Sequence, residues 1–237
     1  MKYNNIKKGR FISRPNRFIA EVEIDDTIEI CHVKNTGRCK ELLVTSAEVF
    51  LEKSINSNRK TKYDLVAVYK ETEYGKILIN MDSLAPNKMF LEYLQQGLFE
   101  YFPINKNSII KPEARYGNSR FDFYVKTGDR EAFIEVKGVT LEVNGVALFP
   151  DAPTERGIKH ISELCRCKTD GYETFVIFII QLESVNYFTP NCEMHPEFSD
   201  ILEAAYKKGV KILSYNSIVN YDEILIKQRK MVKFSSF

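Results

Sequence analysis

The 237-residue chain predicts a two-domain protein of mixed α+β and α/β class: a small β-barrel over residues 1–82, then a mixed sheet flanked by helices over residues 83–237. Three observations predict it. Between Phe18 and Asn80, short strand-like runs follow one another with polar turns between them. From Met89 onward, helix-spaced and strand-like segments succeed each other, as they do when helices pack on a sheet. The length suffices for one large or two modest domains with a proper core.

In the first domain Phe18 to Ile24 alternates, Asp25-Asp26 turns the chain, and Ile28 to Val33 returns. Asn35-Thr36-Gly37 is a tight-turn signal. Leu42 to Val44, Ala47 to Leu51, Tyr63 to Tyr69 and Lys76 to Asn80 are further short strands. An OB-type barrel is one candidate for such a set. Barrels of that type bind single strands through a basic groove with aromatic platforms. Arg10, Arg14, Arg17, Lys34, Arg38 and Lys40 are placed to supply the charge, with Phe11 and Phe18 nearby, although any one of these phenylalanines is more simply core. His32, alternating on its strand, reads as a hydrogen-bonded or core histidine rather than a ligand.

Ser83 to Asn87 forms a linker in which Pro86 discourages regular structure. Met89, Tyr93, Leu94, Leu98, Tyr101 and Phe102 then recur at helical spacing, weakened at Gly97 and closed by Pro103. Ile109 to Arg115 is a strand, followed by the hairpin Ser119–Val125 and Ala132–Gly138. Val139 to Phe149 is irregular, with an Asn144-Gly145 turn. Asp151 or Thr154 caps a helix that Pro153 opens and Asp170-Gly171 ends. Glu173 to Leu182 is apolar throughout most of its length, as a strand buried on both faces is. A helix over Asp200–Lys208, a last strand over Val210–Tyr215 and a basic tail complete the chain.

The hairpin carries the chemistry. Each strand places a carboxylate where an apolar residue is expected: Asp122 between Phe121 and Phe123, Glu135 between Ile134 and Val136. Alternation puts Glu135 and Lys137 on one face, and adjacent rungs bring Asp122 beside them. An uncompensated carboxylate there is unfavourable by several kcal/mol (roughly 2–7 even for an uncharged polar group), so either Lys137 or a bound divalent cation must offset it. Two carboxylates and a lysine suit Mg²⁺ (or Mn²⁺), which takes oxygen ligands, keeps waters and is completed by a substrate phosphate. The E-x-K tripeptide alone reads more simply as a structural ion pair; the upstream acid, the hairpin spacing and the apolar setting bring the catalytic reading level with it. Arg156, Lys159 and His160, at the start of the helix that follows, form a basic cluster that suits a phosphate or, equally on pattern alone, a solvated helix face.

Composition sets the bounds. A net charge of +2 announces no polyanion by itself, but basic residues crowd both ends of the chain. The five cysteines lack the spacing of a zinc site and read as reduced thiols of a cytoplasmic protein. No apolar run is long enough for a membrane span.

Several strings resemble a known family: Arg14-x-x-Arg17-Phe18, His32-x-x-Asn35-Thr36-Gly37-Arg38, Ser119-Arg120-Phe121-Asp122-Phe123, Ile134-Glu135-Val136-Lys137-x-Val139-Thr140-Leu141, and the long Phe149-Pro150-Asp151-Ala152-x-Thr154-x-Arg156-Gly157-x-Lys159-His160. Together they look like the sugar fermentation stimulation protein family, SfsA. The element order around Asp122 and Glu135-Val136-Lys137 resembles, more loosely, the PD-(D/E)xK nucleases, with Phe121 where their nominal proline stands. The resemblance implies an OB-like domain joined to a nuclease-like domain, DNA as partner (single- or double-stranded), and a regulatory role in sugar metabolism. It implies Asp122 and Glu135 as metal ligands, Lys137 as catalytic lysine, and a further acid from Glu92 or Glu113. Arg120, Arg156, Lys159 and His160 are then contacts to nucleic acid around the site. A Mg²⁺-dependent nuclease is the leading expectation; a DNA-binding regulator without catalysis and an RNA-processing factor are the rivals. A homodimer is left open.

Overall fold

A computed structural model describes residues 1–35, 37–56, 58–73 and 75–234. Thr36, inside the expected turn string, lies outside the described residues.

Six strands form the first sheet: β1 (Ile6–Asn16), β2 (Ile19–Ile24), β3 (Thr27–Val33), β4 (Glu48–Lys53), β5 (Tyr63–Thr72) and β6 (Gly75–Asn80). Their order is β3-β2-β1-β4-β5-β6, and a parallel pairing of β3 with β5 closes the first five into a barrel. Two expectations change here. The basic stretch before Phe18, which carries no expected strand, is the barrel's longest strand, β1; its alternation is hidden because Phe11 is its one fully buried side chain. Leu42 to Val44 is a turn, not a strand, with the amides of Leu42 and Leu43 both donating to the Cys39 carbonyl. Both leucines are buried from that turn.

The second sheet is built from β7 (Ile109–Tyr116), β8 (Ser119–Thr127), β9 (Arg130–Val139), β10 (Leu141–Val143), β11 (Val146–Phe149), β12 (Glu173–Ile180), β13 (Tyr187–Pro190), β14 (Lys211–Val219) and β15 (Ile224–Val232). It runs β10-β11-β13-β15-β14-β12-β9-β8-β7. Helix α1 (Ala85–Gln95) packs on one face, and α2 (Glu155–Thr169) with α3 (Pro196–Lys207) on the other. β12 lies between β9 and β14, parallel to both, and from Thr174 on is buried throughout.

The expected linker is the first turn of α1: Pro86 sits where a helix tolerates it, because the amide it lacks has no intrahelical partner there. The helix ends well before Phe102, at Gly97, which adopts φ +70°. β10 and β11 form a hairpin about Asn144-Gly145, both at positive φ, as a tight hairpin turn demands. α3 begins four residues earlier than its periodicity indicates, and β13 has no counterpart among the expected strands. The supposed basic tail is largely β15, paired on both sides inside the sheet. The first residues of the chain cross over to this domain: Lys2 bridges to Glu223, and the Tyr3 amide donates to the Asp222 carbonyl at 2.8 Å. Among the described residues no helix is long and apolar enough to cross a membrane.

Candidate active site

The site forms where β8 parts from β9. Their ladder runs from Thr127–Arg130 to Phe123–Ile134 and stops one rung short of Asp122–Glu135. Beyond it the side chain of Asp122 replaces the missing backbone partner: its Oδ2 accepts from the Val136 amide at 2.7 Å. On the other side of β8, the pairing with β7 skips Glu113, which lies between the Pro112–Phe123 and Ala114–Phe121 rungs at φ +54°. That is an uncommon conformation for a residue with a side chain.

α1 reaches the same place. Asn87 Nδ2 donates to Asp122 Oδ1 at 2.7 Å, so both oxygens of that carboxylate are held. The sequence placed Asn87 in a linker and gave it no role. Its signal was the Pro86-Asn87 pair at the start of a helix, readable only once that start is known.

Glu135 is 2 % exposed. Its Oε1 accepts from Lys137 Nζ at 2.6 Å and from His160 Nδ1 at 2.5 Å. Its Oε2 is buried with no partner. Burial pushes the Glu135 carboxyl up, but the His160 hydrogen bond and the Lys137 charge outweigh it and hold it below the usual range. Asp122 goes the other way: burial first, then the Glu135 charge, push it up to about 6, against the opposing pull of the Val136 amide, Lys137 and Asn87. Two acids whose environments drive their protonation apart are characteristic of a reaction centre or a cation site. Among the described residues no three or more His, Cys, Asp or Glu side chains are grouped to hold a metal ion. Any cation here would rely on this carboxylate pair, and the unpartnered Oε2 of Glu135 is an oxygen such an ion takes.

The other expected residues divide. His160 is buried against Glu135, and Arg156 Nε lies 3.5 Å from its other ring nitrogen, so both stand at the site through α2. Thr154 caps that helix, accepting from the Gly157 amide at 3.1 Å. Lys159 is exposed on the same helix. Glu113 pairs with Arg120 at 2.8 Å, both largely exposed. Glu92 turns to the amino group of Met1 at 2.9 Å and contacts neither acid of the site; the helix contributes Asn87 instead.

In the barrel, Arg10 pairs with Glu23, and Lys34 is spent on buried Asp82 at 2.8 Å. Arg14 donates to four backbone carbonyls, those of Arg17, Asn35, Gly37 and Arg38, at 2.6–2.8 Å. These three are structural pairings, which sequence spacing does not reveal. Arg17, stacked over Phe18 at 4.7 Å, remains exposed, as do Arg38 and Lys40. With Arg14 they line a cavity of about 680 Å³. His32 is hydrogen-bonded to Asp64 at 3.0 Å.

Family models match both halves of the chain: residues 12–80 match the SfsA N-terminal OB domain and residues 84–223 the sugar fermentation stimulation protein RE domain. The chain is 54% identical over 234 residues to the sugar fermentation stimulation protein homolog of Ruminiclostridium cellulolyticum, covering 98% of this chain and all of that one. To the homolog of Clostridium beijerinckii it is 54% identical over 227 residues, covering 96% and 97%. Among solved structures it resembles that of Pyrococcus furiosus SfsA in complex with Ca²⁺, with a TM-score of 0.86 at 27% identity over 98% of each chain.

Proposed function

This chain belongs to the sugar fermentation stimulation protein family, and we propose that it is a metal-dependent phosphodiesterase acting on DNA, its second domain being of the PD-(D/E)xK nuclease kind. One observation carries the reading: a buried carboxylate, Glu135, has one oxygen held by Lys137 and His160 and the other unpartnered, beside a second acid whose carboxyl burial and the Glu135 charge push up. A buried acceptor left unsatisfied is unfavourable by about 1–3 kcal/mol or more. A DNA-binding regulator of sugar metabolism that never cleaves its partner has no use for that arrangement, which is why the hydrolytic reading is preferred over it.

Asp122 and Glu135 are the residues that would hold Mg²⁺ or Mn²⁺; the solved relative holds Ca²⁺, which shares their preference for oxygen ligands. When bound, such an ion stabilises negative charge on a phosphoryl oxygen. Lys137 offsets charge at the scissile phosphate and orients the attacking water. His160 fixes the Glu135 carboxylate and Asn87 that of Asp122, so neither has to reorganise during the reaction. Arg156 at the start of α2 meets a flanking phosphate.

Cleavage of plasmid and single-stranded DNA in Mg²⁺ or Mn²⁺ tests this, with RNA of one matching sequence as comparison. Lys137→Ala is expected to lower cleavage by on the order of 10²-fold or more while DNA binding persists. Asp122→Asn is expected to lose Mn²⁺ binding in calorimetry. Full activity in Lys137→Ala, or no cleavage by the wild-type chain in either ion, overturns the reading.

A further inference from the structure

A cavity of about 320 Å³ opens between the two domains, immediately beyond Lys137, with Gly138 and Val139 in its wall. Its barrel side is the loop at Asn35 and Gly37, and Gly37 also lines the basic cavity of Arg14, Arg17, Arg38 and Lys40. Basic groove, junction cleft and carboxylate site therefore stand in series.

The cleft differs in chemistry from its neighbours. None of its lining residues is basic, and its charged group is the carboxylate of Asp151. A phosphate is repelled there. Among the described residues Asp151 has no hydrogen bond or ion pair, and its Oδ2 lies 2.7 Å from where a Cβ on Gly37 would stand, so only a glycine permits this approach. Asn35 Oδ1 accepts from the Gly37 amide at 2.8 Å, which leaves its NH₂ group as a donor. The Arg14 guanidinium holds the carbonyls of Asn35, Gly37 and Arg38. Leu141, Leu148, Phe149 and Pro150 supply apolar wall. A charged acceptor, a neutral donor and apolar walls in a space of this size match a nucleobase read on its hydrogen-bonding edge.

We infer that the junction cleft takes one unpaired nucleobase bearing an exocyclic amine. Its flanking phosphates run to the Arg17–Arg38–Lys40 groove on one side and to Lys137 on the other. A base inside a duplex has that edge occupied by its partner, so the substrate is a single strand or an unpaired end. The inference rests on the phosphodiesterase reading, because that is what places a phosphate beside Lys137. The carboxylate favours cytosine, adenine or guanine over thymine, which has no amine to donate.

The test is a binding equilibrium on the full chain in EDTA, where no cleavage occurs. Fluorescence anisotropy is read with dC15, with dT15, with a hairpin duplex and with cytidine monophosphate as competitor. Expected are binding of dC15 on the order of tenfold tighter than dT15, weaker binding of the hairpin, and loss of the dC15 preference in Asp151→Ala with dT15 binding retained. Lys40→Ala is expected to weaken both oligonucleotides alike and to flatten their salt dependence. Equal affinity for dC15 and dT15, a preference that survives Asp151→Ala, a tighter duplex, or a free nucleotide bound as tightly as dC15 each overturns the inference. A chain that shows the base preference in EDTA yet cleaves nothing in Mg²⁺ or Mn²⁺ sinks the phosphodiesterase reading instead.

Discussion

At Asp122 the environment raises an acid that a hydrolytic site needs ionised. Burial and the Glu135 charge hold its carboxyl at about 6 in the folded chain, against an ordinary value of 3.8. Between those two values the folded state binds a proton that the unfolded state has lost, so stability falls as pH rises through the interval. A shift of this size corresponds to about 3 kcal/mol at full development, reached above pH ~6. Asp122→Asn removes the charge. In EDTA its stability relative to wild type is therefore expected to grow by about 2–3 kcal/mol between pH 4 and pH 7. Urea midpoints across that range measure it, and a pH-independent difference would refute the burial argument. Asp122 and the Glu135-Val136-Lys137 string were legible in the sequence because a carboxylate between two apolar neighbours is anomalous on a strand. Asn87 and the grip of His160 on Glu135 were not, since each depends on a helix arriving from elsewhere in the chain.

At the scale of elements, the register between α1 and β9 sets the site. Gly138, one residue past Lys137, has no room for a side chain: a Cβ there would lie 2.6 Å from Gln181 Oε1 and 2.8 Å from Pro86 Cγ. Neither neighbour gives way easily. Gln181 is buried, donating to Asn80 Oδ1 at 2.9 Å and to the Asp82 carbonyl at 3.0 Å, and Pro86 is in the first turn of α1. Gly138→Ala is expected to push α1 off the sheet, withdrawing Asn87 from Asp122, and to destabilise by about 1–3 kcal/mol despite the usual benefit of replacing glycine. Chemical denaturation reads the loss, and unchanged stability refutes the contact. The elements themselves were legible to different degrees. α2 was recovered nearly to the residue because Thr154 and Asp170-Gly171 are local signals, whereas Pro153, expected in its first turn, lies just before the cap. β1 carries no expected strand and β15 reads as a basic tail, because strands whose pairing partners bury them only partly keep lysines and arginines along most of their length. Local composition cannot distinguish such a strand from a solvated end; its hydrogen-bonding neighbours do.

Over the whole molecule, the two domains are joined by a buried polar network rather than by apolar contact alone. Asp82, after the last barrel strand, is fully buried. It accepts from Lys34 at the end of β3 (2.8 Å), from Tyr3 (3.4 Å) and from the Leu84 amide at the start of α1 (2.9 Å). Asn80 donates to Tyr3 at 2.9 Å and accepts from Gln181 at the end of β12. Lys34 thus belongs to the joint between the domains. Removing it leaves a carboxylate enclosed without its cation, a change that destabilises by about 3–5 kcal/mol in comparable buried pairs. Lys34→Ala is expected to lower the urea midpoint accordingly and to split a single unfolding transition into two as the barrel detaches. Its affinity for DNA at a pH and temperature where it remains folded is expected to match wild type. Adding Asp82→Asn removes the stranded charge, so the double variant should recover most of the lost stability even though two partners of the network have changed. If Lys34→Ala keeps its stability but binds DNA less tightly, the residue faces a phosphate after all. A double variant less stable than the single one would mean that Asp82 stabilises the joint through its contacts to Tyr3 and Leu84 more than through the ion pair.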